Sequence, residues 1–222
     1  MPSLVEEMQA YYARRAPAYD ASMGYDDPAT IESLTPVVAA ITRQVSARTV
    51  LEVACGPGFW TQFVSEVARA VTATDYNEST LAEARRKPLD WEKVRLLVAD
   101  AYDLSDVPGD HDAALAVDWL AHVPRSRLHP FLEGLHRRLR RNARVVFCDQ
   151  TPGPRSITGI HDAEGNHLQE RALPDGSRYH VIKHFLSDAE FHELFDRYTE
   201  RLDIERFSES RRVVVGYTVR AI

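Results

Sequence analysis

The chain has 222 residues, with Lys+Arg 27 against Asp+Glu 33 and a formal net charge of −6. Its hydrophobic fraction of 44% and charged fraction of 27% are typical of a globular protein with one large core. The acidic balance does not attract phosphate backbones in general, so we expect no nucleic-acid partner. No apolar run approaches the roughly 18 residues that cross a membrane. The first residues are acidic at Glu6 and Glu7 and do not resemble a signal peptide, so we expect a cytoplasmic protein with no membrane partner.

Two helices are expected before the first strand. Residues 4–20 carry apolar positions three or four apart until Pro17, which predicts a helix broken there. Apolar residues on one face also predict a helix from Thr30 to Val45. Additions of this kind commonly cover a site, so we interpret residues 1–47 as a helical lid.

Five short apolar segments then alternate with helical patterns. The predicted strands are 49–54, 71–75, 94–99, 113–118 and 144–149, and the predicted helices are about 59–68, 78–86 and 125–140. The basic run Arg137–Arg141 is interpreted as the solvated end of the last helix. This alternation predicts a doubly wound α/β sheet, with its core in residues 48–150.

The pattern changes after Asp149. We expect residues 151–186 to form a substrate cap that contains a β-hairpin around a Pro-Asp-Gly turn. A helix should begin after Ser187, which forms a capping-box pattern with Glu190. Two alternating runs at the end of 187–222 predict an antiparallel pair that closes the sheet, and the whole chain is interpreted as a single domain.

The turn after the first strand carries small residues where a ligand would meet the backbone. An apolar run ends in Glu52 and is followed by Ala54, Gly56 and Gly58, with a helical pattern next. The third glycine of a dinucleotide fingerprint is missing, and so is the Gly-Lys-Ser/Thr of a phosphate loop. The loop therefore favours a ligand with an adenosine and no phosphates.

An acid lies near the end of each of the first three strands. Ligands of open α/β sheets bind at the carboxyl ends of strands, where Glu52, Asp75 and Asp100 are expected to meet. Asp75 suits a ribose diol because a carboxylate accepts both hydroxyl hydrogens. Asp100 and the backbone amide of Ala101 suit the edge of an adenine ring. The alternatives are a salt-bridged Glu52, a helix-capping Asp75 and a turn role for Asp100.

Four motifs in order now carry a family resemblance. LEVACGPGF, ATDYNE, VADAYDL and DWLAHVP, followed by RVVFCDQ, resemble the motifs of class I S-adenosylmethionine-dependent methyltransferases over residues 49–150. The resemblance implies a Rossmann-like seven-stranded sheet with the last strand antiparallel and S-adenosyl-L-methionine (SAM) as cofactor. Ala54 and Pro57 depart from the commonest pattern, which has Gly and then Thr or Ser.

The resemblance also implies roles for individual residues. The opening YYARRAPAYD is similar to the N-terminal lid of small-molecule members, whose Tyr and Arg side chains close over the methionine part. The cofactor-binding residues implied are Tyr12, Arg15, Tyr19, Glu52, Ala54, Gly56, Gly58, Asp75, Tyr76, Asp100, Ala101, Asp118 and Trp119.

His122 is the candidate catalytic residue. It follows Trp119 at the expected mouth of the site, where an imidazole could take a proton from a hydroxyl acceptor. The alternative is a histidine oriented against a backbone carbonyl. The remaining histidines and the two cysteines make no standard metal spacing, so no metal is expected.

These features predict a SAM-dependent methyltransferase that moves a methyl group to an O or N atom of a small molecule, in specialised metabolism, as a monomer or homodimer. Tyr179, His180 and isoleucines in the cap suit a small aromatic or apolar acceptor. Two alternatives stay open: an RNA or protein methyltransferase, and a non-methylating protein that retains the cofactor pocket. The sequence does not identify the acceptor.

Overall fold

The computed structural model describes residues 3–220 of the chain. Most of this part folds around a sheet, with a small hairpin beside it. The strands are β1 Thr49–Val53, β2 Ala70–Asp75, β3 Val94–Val98, β4 His111–Val117, β5 Leu139–Gln150, β6 Leu168–Ala172, β7 Arg178–Ile182, β8 Leu202–Phe207 and β9 Arg212–Thr218. The α-helices are α1 Leu4–Arg15, α2 Tyr19–Met23, α3 Pro28–Val45, α4 Phe59–Val67, α5 Glu78–Ala84, α6 Leu128–His136 and α7 Asp188–Phe195.

The main sheet has seven strands in the order β3-β2-β1-β4-β5-β9-β8. The first five are parallel, whereas β9 runs antiparallel to both β5 and β8. The order reverses between β1 and β4, which places a ligand crevice at the carboxyl ends of these strands. The predicted doubly wound α/β sheet with an antiparallel last strand is confirmed.

The central strands are buried on both faces. Val50 of β1 packs with Ile41 and Val64 on the side of α3 and α4, and all three are at most 1% exposed. The opposite face of β1 presents Leu51 to a second cluster, which includes Phe131 of α6. Burial on both sides explains why β1 is a continuous apolar run.

Helix α3 begins two residues before the predicted Thr30. Asp27 is its N-cap and accepts a hydrogen bond from the Thr30 amide at 3.0 Å, while Pro28 occupies the first turn. Proline is tolerated in the first turn because the backbone N–H that it lacks would have no partner within the helix. The capping residue therefore sets the boundary, ahead of the first periodic apolar position.

The basic run Arg137–Arg141 is not the end of a helix, and this interpretation was wrong. Helix α6 ends at His136, and β5 already begins at Leu139, which pairs with His111 of β4. Arg140 extends from this strand into an ion pair with Asp110 at 2.6 Å. Exposed arginines fit a helix end and a strand start equally well, so the pattern could not separate the two.

The cap and the lid are joined along one edge of the hairpin. β6 and β7 are antiparallel, and the outer edge of β7 lies against α1. Glu7 accepts a hydrogen bond from the His180 amide at 2.6 Å, and the Met8 sulfur lies 3.2 Å from the Ile182 amide. Helix α1 thereby occupies an edge that would otherwise expose unpaired backbone amides.

No helix within residues 3–220 has the length and apolar character to span a membrane.

Candidate active site

A cavity of about 840 Å³, counted with its open mouth, lies at the carboxyl ends of the central strands beneath α1. Its walls come from the helices before β1, the glycine loop and the ends of β2, β3 and β4. The lining residues are Val5, Met8, Gln9, Tyr12, Ala16, Tyr19, Ala54, Gly56, Pro57, Asp75, Tyr76, Asn77, Thr80, Ala99, Asp100, Ala101, Tyr102, Val117, Asp118, Trp119 and His122.

Most residues singled out from the sequence line this cavity. Those brought together are Tyr12, Tyr19, Ala54, Gly56, Asp75, Tyr76, Asp100, Ala101, Asp118, Trp119 and His122. Arg15, Glu52 and Gly58 are not part of the wall, and their predicted contacts with a cofactor stay predictions.

The two glycines of the loop serve different purposes. Gly56 has φ 59°, and a Cβ added there would meet no protein atom within 4 Å, so this backbone borders open space. Gly58 has φ 81°, and its added Cβ would lie 3.2 Å from the Ala84 side chain. Gly56 therefore forms a cradle for a ligand, whereas Gly58 permits α4 and α5 to pack closely.

Ala54 and Asp118 are non-glycine residues in the left-handed region, with φ 53° and 54°. Each follows the end of a central strand and lines the cavity. Such backbone conformations are strained by about 1–3 kcal/mol and cluster at ligand sites.

Asp75 is tied to the glycine loop. Its two carboxylate oxygens accept hydrogen bonds from the Asn77 amide at 2.9 Å and from the Gly56 amide at 3.1 Å. Burial raises the pKa of Asp75 to about 6, although both amides favour the charged form. Each carboxylate oxygen accepts more than one hydrogen bond, so the group retains capacity for two ribose hydroxyls.

Tyr76, Asp100 and Ala101 form the neighbouring part of the wall. The Tyr76 side chain is among the exposed large residues, at 48%, which leaves its ring free to flank a flat ligand. The Asp100 carboxylate accepts a hydrogen bond from the Tyr102 amide at 2.9 Å, and this bond stabilises a tight turn after β3. The turn role and the ligand role of Asp100 are therefore compatible.

Glu52 is buried beneath the site. It is 1% exposed, and its carboxyl lies beside the hydroxyl of Thr61 in α4. Glu52 Oε2 and Thr61 Oγ1 have no hydrogen-bond partner among the described residues. Burial raises the pKa of Glu52 to about 8, so the neutral acid is the main form at pH 7. No basic residue of the described chain pairs with it, so the salt-bridge alternative fails.

Asp118 forms a buried ion pair with Arg212 of β9. The distance is 2.6 Å, and the side chains are 8% and 4% exposed. The same guanidinium donates to the Tyr25 hydroxyl at 3.1 Å. Burial tends to raise the pKa of Asp118, but the charges of Arg212 and Lys183 hold it below its usual value.

One oxygen of Asp118 remains free for a ligand. Asp118 Oδ2 and Trp119 Nε1 are buried without hydrogen-bond partners in residues 3–220, and both residues line the cavity. Trp119 also packs on Tyr102 and Phe131, so it is both a wall of the site and part of the core. Buried polar atoms are rarely unpaired, which marks this end of the cavity as a place where a polar ligand is expected.

His122 has partners on both ring nitrogens. Nδ1 lies 2.5 Å from the Ile182 carbonyl and must donate to it, which leaves Nε2 to accept from the Tyr12 hydroxyl at 3.1 Å. Burial, reinforced by the charge of Lys183, lowers the pKa of His122 to about 3. The imidazole is therefore neutral. The backbone-carbonyl alternative is confirmed as a contact, and the general-base role stays a prediction.

Arg15 supports the lid from outside the cavity. Its guanidinium donates to the Ser22 hydroxyl at 2.7 Å and stacks 4.7 Å from the Tyr19 ring centroid. It thereby fixes Tyr19, which does line the cavity.

Several wall residues were missed in the sequence. Met8 and Gln9 lie on α1, where the helical pattern predicts only packing, and the Gln9 carbonyl accepts a hydrogen bond from the Asn77 side chain at 3.3 Å.

Arg212, which is the ion-pair partner of a wall residue, was also missed. It lies far along the chain and reaches Asp118 only through the antiparallel pairing of β9. The only sequence feature that could have indicated a buried role for Arg212 is its place at the start of an apolar strand.

The residues present fit an adenosyl sulfonium without phosphates. Gly56 provides the cradle, Asp75 accepts hydroxyls, and the free oxygen of Asp118 suits an ammonium group. The described residues place no lysine or arginine at the loop to bind a pyrophosphate. The fold and the site together define an α/β protein that binds an adenosyl cofactor at the carboxyl ends of its strands.

Comparisons agree with this class. A family model described as a methyltransferase domain matches residues 50–142. No curated protein matches the sequence. DhpI in complex with SAH is 27% identical with a TM-score of 0.79, covering 99% of this chain and 98% of that one. A DhpI complex with SAM and HEP is 29% identical with a TM-score of 0.79, covering 97% and 98%.

A likeness at lower identity concerns the fold alone. The 1,6-didemethyltoxoflavin-N1-methyltransferase of Burkholderia thailandensis is 18% identical with a TM-score of 0.68, covering 100% of this chain and 92% of that one. The family-model match identifies residues 50–142 as a methyltransferase domain, and the similarity to DhpI bound to SAH and to SAM supports SAM-dependent methyl transfer.

Proposed function

We propose that this enzyme methylates an O or N atom of a small molecule. One observation carries the proposal: the lid and the cap meet over the site. Helix α1 lies along β7, and Tyr12 of the lid contacts His122 in the wall. Cofactor and acceptor then have to share a cavity of about 840 Å³. An RNA or protein segment would have to part the lid from the cap to enter.

The arrangement suggests how each residue contributes to the reaction. SAM would supply a methyl group on a sulfonium: an O or N lone pair of the acceptor would bond to the methyl carbon in line as the S–C bond breaks, with S-adenosylhomocysteine (SAH) as the leaving group. Asp75 would hold the ribose hydroxyls, and Tyr76 with Asp100 and Ala101 would hold the adenine. Asp118 Oδ2 would bind the methionine ammonium. These contacts fix the cofactor, and orientation with exclusion of water supplies most of the rate.

We assign His122 a positioning role in the closed site. An imidazole with a pKa of about 3 and partners on both nitrogens is a weak base at neutral pH. Its bonds instead connect Tyr12 of the lid to the Ile182 carbonyl of the cap. General-base catalysis by His122 remains the competing proposal for this residue.

We also propose the cytoplasm as the compartment of the protein.

The test is methyl transfer from labelled SAM to a panel of small metabolites, to bulk RNA and to bulk protein. We expect SAH and a labelled product only with small molecules. The Asp75→Ala variant is the negative control, since it should lose the cofactor. Label appearing in RNA or protein, with no labelled metabolite, would overturn the proposal.

A further inference from the structure

Lys183 is a buried cation without an ion-pair or hydrogen-bond partner among residues 3–220. The residue is 3% exposed and directly follows β7. Its Nζ makes no hydrogen bond within residues 3–220, and no carboxylate of that part of the chain lies within 4.0 Å of it. Burial lowers the pKa of Lys183, while the carboxylates of Asp118 and Asp149 favour its charged form without pairing with it directly. A buried ammonium with no direct partner is poorly compensated, so such a group is rarely kept without a use.

Lys183 is not part of the cavity wall, but its neighbour in sequence is bonded to a residue of that wall. The preceding residue, Ile182, gives its carbonyl to His122, which lines the cavity. The charge of Lys183 lowers the pKa of His122 and helps to lower that of Asp118. Lys183 therefore lies close to the two wall residues that follow β4, on the side of the cap.

Arg171 brings a second positive charge to the same face of the hairpin. In the hairpin, Arg171 lies opposite Tyr179 and Gln169 lies opposite Val181. Two residues beyond Gln169, the His167 carbonyl accepts a hydrogen bond from the Lys183 amide, so Lys183 lies opposite His167. Side chains alternate along a strand, so Arg171 and Lys183 are on one face. Gln169 Oε1 accepts a hydrogen bond from the guanidinium of the exposed Arg171 at 2.6 Å. The charge of Arg171 also helps to lower the pKa of Lys183.

The nearby charges do not cancel. Arg212 is already neutralised by Asp118 through their ion pair of 2.6 Å. Burial raises the pKa of Asp149 to about 7, so this carboxyl offers only part of a negative charge near pH 7. Lys183 and Arg171 are left with an excess of positive charge, beside a cofactor whose sulfonium is also positive.

We propose that the acceptor carries an acidic group, a carboxylate or a phosphoryl group, that Lys183 and Arg171 bind. This assignment rests on the proposed small-molecule function and narrows its substrate class. The acidic group compensates the buried ammonium, and Arg171 offers it two parallel N–H donors. A cationic amine would be repelled from the same place.

Calorimetry on the SAH complex tests this proposal with three probes that share a phenyl ring: benzoate, phenyl phosphate and the neutral benzamide. We expect at least one anion to bind in a saturable manner and benzamide to bind at least tenfold more weakly. The tighter anion then distinguishes a carboxylate from a phosphoryl group. Equal binding of all three probes, or of none, overturns the proposal.

Variants locate the binding to these two residues. Lys183→Met and Arg171→Gln should each weaken binding of the anion about tenfold or more, while Lys183→Arg retains most of it. Arg178→Gln is the matched control, because Arg178 lies on the opposite face of the same hairpin. Unchanged anion binding in Lys183→Met overturns the assignment. The same follows if Lys183→Met weakens SAH as much as the anion, because the lysine would then serve the cofactor's carboxylate.

The activity panel separates this inference from the function beneath it. Methyl transfer to neutral metabolites as readily as to acids would leave the proposed function standing and remove the acidic-group requirement. Absence of transfer to any small molecule, with label in RNA or protein, would remove the proposed function itself. Anion binding that depends on Lys183 would still be measurable in that case.

Discussion

Tyr12 and His122 form a single hydrogen bond of 3.1 Å between the N-terminal lid and the segment after β4. Their rings also meet edge to face, with centroids 5.5 Å apart. The other nitrogen of His122 is bonded to the cap at Ile182. One imidazole thus connects three parts of the chain that are distant in sequence, and it does so in the wall of the cofactor cavity.

Tyr12→Phe and His122→Ala test what this connection does. If the pair holds the lid closed, both substitutions should raise the KM for SAM several-fold and leave kcat at saturating SAM nearly unchanged. Their effects should also be non-additive in the double variant, because they remove one shared contact. Steady-state kinetics of the three variants provide the measurement.

The general-base alternative makes a different prediction for the same variants. His122→Ala alone would then lower kcat by roughly a hundredfold, whereas Tyr12→Phe would not. Glu32→Gln is a suitable control in the helices before β1, since Glu32 is exposed on α3 and lies outside the cavity wall. A large kcat loss confined to His122→Ala would contradict the positioning role.

Asp75→Ala should weaken SAM binding by about tenfold to a hundredfold. The substitution removes a buried charged acceptor, and hydrogen bonds to charged groups contribute about 1.5–3 kcal/mol. Calorimetric titration with SAH measures the change, and a thermal melt verifies that the loop still folds. Asp106→Ala, at an exposed acid outside the cavity, should bind normally. Unaltered affinity in Asp75→Ala would refute the ribose assignment.

The loop glycines give a paired prediction. Gly56→Ala should cost stability modestly, by about 1–2 kcal/mol for the left-handed backbone, yet abolish most cofactor binding because its methyl group enters the cradle. Gly58→Ala adds to the same strain a contact of 3.2 Å with Ala84, so its melting temperature should fall further. Melting curves and SAH titrations of both variants measure the two effects. The reverse order of stabilities would contradict these separate roles.

The cofactor half of the site was predictable because its information is local. A strand, a turn with Gly56, and an acid at the end of the next strand are neighbours in sequence, and parallel topology places all strand ends at one edge. The same reasoning placed Asp75 and Asp100 at the cavity wall, whereas Glu52, predicted in the same way, is buried outside it.

The acceptor half was not predictable in the same way. Met8 lines the cavity from α1, while Arg212 of the last strand and Lys183 after β7 act on the wall residues Asp118 and His122. The positions of all three depend on tertiary packing. In sequence each resembles an ordinary surface or core residue. Only the structure shows that Lys183 is buried with no carboxylate of residues 3–220 within 4.0 Å, which is the observation behind the proposed acidic acceptor.

Glu52→Gln should change how stability depends on pH. Burial raises the pKa of Glu52 from 4.5 in the reference state to about 8 in the folded protein, despite the opposing effect of Thr61. The folded state therefore keeps a proton that the unfolded state releases. This contribution to stability is fully present below about pH 4.5 and is lost as the pH rises to about 8.

The amide of Glu52→Gln is neutral at every pH and cannot lose this contribution. We expect the free energy of unfolding of the native protein to fall relative to the variant between about pH 5 and pH 8. Urea unfolding at several pH values measures the difference, with the exposed Glu92→Gln as control. Parallel curves for Glu52→Gln and the native protein would show that the fold does not raise the pKa of Glu52.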